Sequence, residues 1–78
     1  MSHSPNSTLL GEISTGAKSA IRVSIDDLGG KRFVNIRTWY VDPAGAWRPT
    51  RKGVVVSIRD LSTLADALRH AIEMEGWV

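Results

Sequence analysis

Residues 32–53 read RFVNIRTWYVDPAGAWRPTRKG, and the reading of this stretch as a hairpin decides the fold. Asp42 at the first position, Pro43 presetting φ at the second and Gly45 at the fourth describe a type I turn. The segments on either side, residues 32–41 and 46–56, are apolar and aromatic enough to form the third and fourth strands of a sheet. A regular hairpin closed by this turn sets Val41 opposite Ala46, Tyr40 opposite Trp47 and Trp39 opposite Arg48. Strand parity places Arg37 and Trp39 on one face with Phe33 and Asn35, and Tyr40 on the other with Val34 and Ile36. Pro49 cannot donate to a ladder, so it marks an edge position or a bulge.

Upstream of the hairpin, residues 20–26 alternate cleanly. Ile21, Val23 and Ile25 share one face while Arg22, Ser24 and Asp26 share the other, the pattern of a half-buried strand. Asp27, Gly29 and Gly30 supply a tight turn between this strand and the third. Residues 9–13 form a first strand, and residues 1–8, polar and with Pro5, are expected to be a mobile arm. Downstream the period becomes helical. Leu61, Leu64, Leu68 and Ile72 recur on one stripe, Ser57 and Asp60 have the spacing of a capping box, and the helix is expected over residues 58–75, with Gly76 and Trp77 closing it. The fold class is therefore α+β: a four-stranded antiparallel meander followed by one C-terminal helix, with residues 9–78 forming a single domain.

The chain has 78 residues, too few to bury a large core alone, so a homodimer is expected, with the Leu61, Leu64, Leu68 and Ile72 stripe at its interface. There is no cysteine, which removes disulfides and thiolate metal sites. No apolar run approaches the roughly 20 residues of a membrane span, and the N-terminus lacks the pattern of a signal peptide. His3 lies in the arm and His70 falls about 180° around the helix from Leu61, facing solvent. No nucleophile, base and acid can be assembled, and the acids of the helix solvate it. Neither GxGxxG nor a phosphate loop occurs. Catalysis, metal and cofactor are thus not expected.

The charges are asymmetric. Residues 31–59 hold seven Lys/Arg against the single acid Asp42, whereas residues 60–78 hold one Arg against four acids. Cations interleaved with rings are what a surface needs to neutralise phosphates and stack bases. A purely structural reading of the same residues is a small second core of Phe33 and Trp39 beneath a loop.

The stretch from Phe33 to Gly53, with its apolar alternation into Ile36-Arg37, the aromatics Trp39-Tyr40, the Asp42-Pro43-x-Gly45 turn, Arg48-Pro49 and Arg51-Lys52-Gly53, closely resembles the C-terminal domain of the transcriptional positive cofactor 4 (PC4) family. More weakly, the resemblance runs from about Leu10 to Ile72. It implies a curved four-stranded antiparallel sheet, dimerisation largely through the helices, and channels that hold single-stranded DNA nearly independently of sequence. Carried over to this chain, the contacts fall on Lys31, Arg37, Tyr40, Arg48, Arg51 and Lys52. The family's stacking ring maps to Tyr40 while strand parity favours Trp39; a bulge would reconcile them, and Tyr40 ranks first. Leu28, Gly29 and Asp26 depart from the aromatic and basic residues that members often carry there, which weakens that corner. The short arm resembles the minimal bacterial or phage form.

The sequence thus predicts a non-enzymatic, homodimeric, largely sequence-independent single-stranded DNA-binding protein that acts in transcription, replication or repair. RNA is the alternative polymer and the transcription machinery a candidate partner. Cytoplasmic localisation is expected for a bacterial or phage protein, nuclear for a eukaryotic one. The rival reading is an interaction module that docks a polymerase or another protein without touching nucleic acid.

Overall fold

The computed structural model describes residues 7–75. Residues 1–6 and 76–78, and with them the helix ending assigned to Gly76 and Trp77, lie outside the described residues. Four strands follow one another and pair in sequence order as an open antiparallel sheet: β1 (Ser7–Gly16), β2 (Ser19–Leu28), β3 (Lys31–Val41) and β4 (Trp47–Ser57). One helix, α1 (Leu61–Met74), follows a single 3₁₀ turn at Ile58–Asp60. The meander and C-terminal helix are those the periodicities predict. β1 starts two residues earlier than expected: Thr8 pairs with Ile25, and the Ser7 hydroxyl donates to Asp26 Oδ1 at 2.6 Å.

Gly29 and Gly30 join β2 to β3 with φ of 60° and 81°. Positive φ at both central residues is the two-residue hairpin turn whose twist matches that of the strands, and glycine reaches it without strain. From there β2 and β3 pair without interruption, Leu28 with Lys31 through Ser19 with Tyr40. The outer strands are less regular. β1 shifts register between Leu9 and Gly11 and again between Ser14 and Gly16, while β4 shifts at the point opposite Arg37 and Trp39. Both outer strands of this open sheet are therefore interrupted, a device that blunts unpaired edges.

Two expectations at the start of the helix are corrected. Neither Ser57 nor Asp60 makes a side-chain capping hydrogen bond, and residues 58–60 form a 3₁₀ turn rather than the first α turn. The backbone enters the helix through i→i+3 bonding, which satisfies donors that a capping box would otherwise serve. His70 is exposed, as its position on the helical wheel predicts.

Cross-strand pairing assigns the two sheet faces. One carries Ile13, Ile21, Val23, Ile25, Val34, Ile36, Val54 and Val56; the other carries Arg22, Ser24, Asp26, Phe33, Asn35, Arg37 and Trp39. The apolar face is incompletely covered. Among the described residues only Ala20 and Val34 are core, at 2% and 5% exposure, while Ile13 and Val54 remain 60% and 54% exposed. The helix leaves its own stripe open as well: Leu61 and Leu64 are half-buried, but Leu68 and Ile72 are 58% and 57% exposed.

Candidate nucleic-acid interface

The hairpin between β3 and β4 determines which rings meet. Asp42 organises its turn: its carbonyl accepts from Gly45 N–H at 2.9 Å, its Oδ1 from Ala44 and Ala46 N–H at 2.9 Å each, and its own N–H donates to Ala46 at 2.8 Å. Gly45 sits at φ 88°. A type I turn followed by a left-handed residue makes a three-residue loop with a bulge, so β4 begins one residue later than in a regular hairpin. The expected register is accordingly wrong by one. Val41 pairs with Trp47, Tyr40 with Arg48 and Trp39 with Pro49.

Because side chains alternate with period two, that shift moves Trp47 onto the face of Trp39. There the Arg22 guanidinium carbon lies 4.8 Å from the centroids of both the Trp39 and Trp47 rings. Its Nε also donates to Glu12 Oε2 at 2.6 Å. Cation–π contacts of this kind are worth about 0.5–2 kcal/mol each, rising as the charge is desolvated. Ala20, directly opposite Trp39, is almost wholly buried. A small residue there leaves room for the indole to lie over the strand.

Arg37 occupies the same face one pleat away. Its Nη1 donates to the Thr50 carbonyl at 3.0 Å and its Nε to Asn35 Oδ1 at 3.2 Å. The first of these bonds exists because β4 bulges. Only Thr38 lies between Arg37 and Trp39, whereas Thr50, Arg51 and Lys52 lie between their partners Gly53 and Pro49. Thr50 locks the bulge, its hydroxyl donating to the Thr38 carbonyl at 2.9 Å and accepting from Lys52 N–H at 3.0 Å. Pro49 at the edge of this bulge satisfies the sequence expectation.

Further along the face, Asp26 accepts from the Ser7 and Ser24 hydroxyls at 2.6 and 3.3 Å and from Asn35 Nδ2 at 3.2 Å. The Ser7 bond is the largest influence holding its carboxyl below the usual range; partial burial opposes it, and Asn35, Ser24 and the Arg37 charge add to it. Asp42 is lowered likewise, first by the bond from Arg48 and then by the two backbone N–H groups, and Arg48 is raised in return. Phe33, Asn35, Arg37, Trp39, Asp26 and Arg22 line a groove of about 540 Å³ on this face.

The residues assigned from the sequence therefore separate. Arg37 and Trp39 share the grooved face, with Lys31 at its end by parity. Tyr40 is 42% exposed on the opposite face and pairs with Arg48, whose Nε is bound to Asp42 Oδ2 at 2.7 Å. No bulge in β3 brings Tyr40 round to Trp39, since its pairing with β2 is unbroken; the bulge lies in β4. Arg51 and Lys52 project from that bulge and are exposed. Sequence reasoning missed Arg22 and Trp47. Gly45 at the fourth position of the turn was the available signal for Trp47, because a left-handed residue there implies the one-residue shift.

Taken together, one open antiparallel sheet, a single C-terminal helix and a grooved face of indoles and guanidinium groups define a small α+β protein that presents cations and rings from its strands. The chain belongs to the Transcriptional Coactivator p15 (PC4) family, whose model matches residues 16–67. It is similar to a PC4 homologue from Burkholderia pseudomallei, at 27% identity and a TM-score of 0.77, over 90% of this chain and 95% of that one. A second crystal form of that homologue gives 28% identity and a TM-score of 0.77, over 83% and 96% of the two chains. The bacteriophage T5 homologue of the eukaryotic transcription coactivator PC4, a protein implicated in recombination-dependent DNA replication, has a TM-score of 0.78 over 91% of this chain and 82% of that one. At 18% identity that likeness is one of fold. No curated protein matches the sequence.

Proposed function

We propose that the chain is a non-enzymatic single-stranded DNA-binding protein that works as a homodimer in transcription, replication or repair. The observation that carries this reading is the cluster of Trp39, Arg22 and Trp47 beside Arg37 on one grooved face. Rings offer stacking to any base and Arg37 neutralises phosphate, while Arg22, paired with Glu12, holds the two indoles, so binding is sequence-tolerant and salt-dependent. Lys31, Arg51 and Lys52 extend the cationic track. Trp39 and Trp47 lead the stacking, with Phe33 further along the groove, and Tyr40, on the opposite face, takes no part in it. Arg48 contributes less than its charge suggests, because Asp42 already pairs with it.

The dimer rests on the uncovered apolar surface. Ile13 and Val54 on the sheet, and Leu68 and Ile72 on the helix, are all more than half exposed. A second copy that covers both would convert this surface into core.

Titration of the protein with single-stranded and duplex oligonucleotides, read by tryptophan fluorescence, tests the proposal. Single strands are expected to bind more tightly and to perturb the fluorescence. Trp39→Ala is expected to weaken binding by about 1–3 kcal/mol, the worth of one stacked base, while Tyr40→Ala has little effect. Equal affinity for duplex and single strand would refute the groove reading.

A further inference from the structure

Asp26 is out of keeping with its surroundings. It lines the groove together with Arg22 and Arg37, where a polyanion would be expected to find cations alone. Its hydrogen bonds hold it in place: Oδ1 accepts from Ser7 and Ser24, and Oδ2 from Asn35. A carboxylate has about four lone-pair positions, so three donors leave it one acceptor position. A phosphate brought close to it would be repelled, so the strand must present a hydrogen-bond donor at this point.

The register indicates which part of the strand that is. Asp26 pairs directly across from Phe33, a half-buried ring on the same face that lines the groove. Residues so paired stand about 5 Å apart at Cβ. A base stacked on Phe33 therefore turns its edge toward the Asp26 carboxylate. Cytosine presents a C4 amine at that edge. Uracil and thymine present a C4 carbonyl in its place, whose oxygen repels the carboxylate. We infer that Asp26 is a base-reading residue, which makes the groove favour bases carrying an exocyclic amine and, among pyrimidines, cytosine over uracil or thymine.

This inference rests on the single-strand reading of the groove, and the test separates the two. The protein is titrated at pH 7.5 with oligo(dC) and oligo(dU) of equal length, bases that differ only in the C4 and N3 positions. Wild type is expected to bind oligo(dC) about five- to tenfold more tightly, the net worth of one hydrogen bond. Asp26→Asn, whose amide both donates and accepts, is expected to bring the two within about twofold and to raise affinity for oligo(dU), because a negative charge has left the groove. Tight binding of both oligonucleotides by wild type without this preference, or a preference that survives in Asp26→Asn, overturns the role of Asp26 alone. Binding of neither overturns the single-strand reading and the inference with it. The comparison of dC with dU needs no variant, so it holds even if Asp26→Asn folds poorly.

Discussion

Replacing Gly53 by alanine tests the closest backbone approach at the bulge. A Cβ at this position would lie 2.7 Å from the Ile36 carbonyl oxygen and 3.1 Å from both Cα and Cβ of Arg37. Ordinary contact begins near 3.4 Å, so the strands must separate by several tenths of an ångström. β3 cannot yield, being held by β2 on its other side; β4, an outer strand, must. Overpacking of this kind costs about 1–3 kcal/mol. The alanine recovers about 0.4–1 kcal/mol by restricting the unfolded chain, leaving a net loss of roughly 1–2 kcal/mol. In a domain of this size each kcal/mol moves the melting temperature by about 4–8 °C, so Gly53→Ala is expected to melt roughly 5–15 °C lower. Gly11→Ala is the control, because nothing lies within 4 Å of its Cβ, and it should melt within a few degrees of wild type. Circular dichroism melts at one matched protein concentration make the comparison, since the proposed dimer would make stability concentration-dependent. A Gly53→Ala protein that melts at or above wild type would refute the close approach of β3 and β4 at Arg37.

Leu68→Asp places a charge on the exposed helix stripe and is expected to shift sedimentation from dimer to monomer or to prevent folding; a well-folded wild-type monomer at high micromolar concentration would count against the dimer. Lys52→Ala should weaken single-strand binding and make the slope of log K against log salt shallower by about 0.7, the loss of one phosphate contact, whereas Trp47→Ala should weaken binding at nearly constant slope. An unchanged slope in Lys52→Ala would remove it from the phosphate track. Asp26 and Asp42 both have folded pKa values below the ordinary 3.8. A lowered carboxylate stabilises the fold above its unfolded pKa, and that contribution is lost as pH falls through the folded value. Urea midpoints should therefore hold steady above about pH 5 and fall below about pH 4. Ser7→Ala should flatten the fall, and a midpoint indifferent to acid would contradict these hydrogen bonds.

Much of this molecule is legible in its residues. The alternation of Ile21, Val23 and Ile25, the paired Gly29 and Gly30, the Asp42-Pro43-x-Gly45 turn and the Leu61 to Ile72 stripe are local signals, each set by the conformations its own residues allow. They determine four strands, one helix and their order. The interleaving of rings and cations over residues 37–53 likewise marks the segment to which most of the proposed nucleic-acid contacts are assigned. Gly45 carries a local signal for the register of Trp47, but which of the other residues meet was decided by the tertiary structure alone. Side chains alternate across a sheet, so a shift of one residue at Gly45 moves Trp47 from the company of Tyr40 to that of Trp39, and a two-residue excess in β4 brings the Thr50 carbonyl to Arg37. Arg22 and Glu12 come from strands whose mutual register depends on two bulges in β1. Faces and partners in a sheet follow from register, and register is settled by the summed pairing of neighbouring strands rather than by any one stretch of chain.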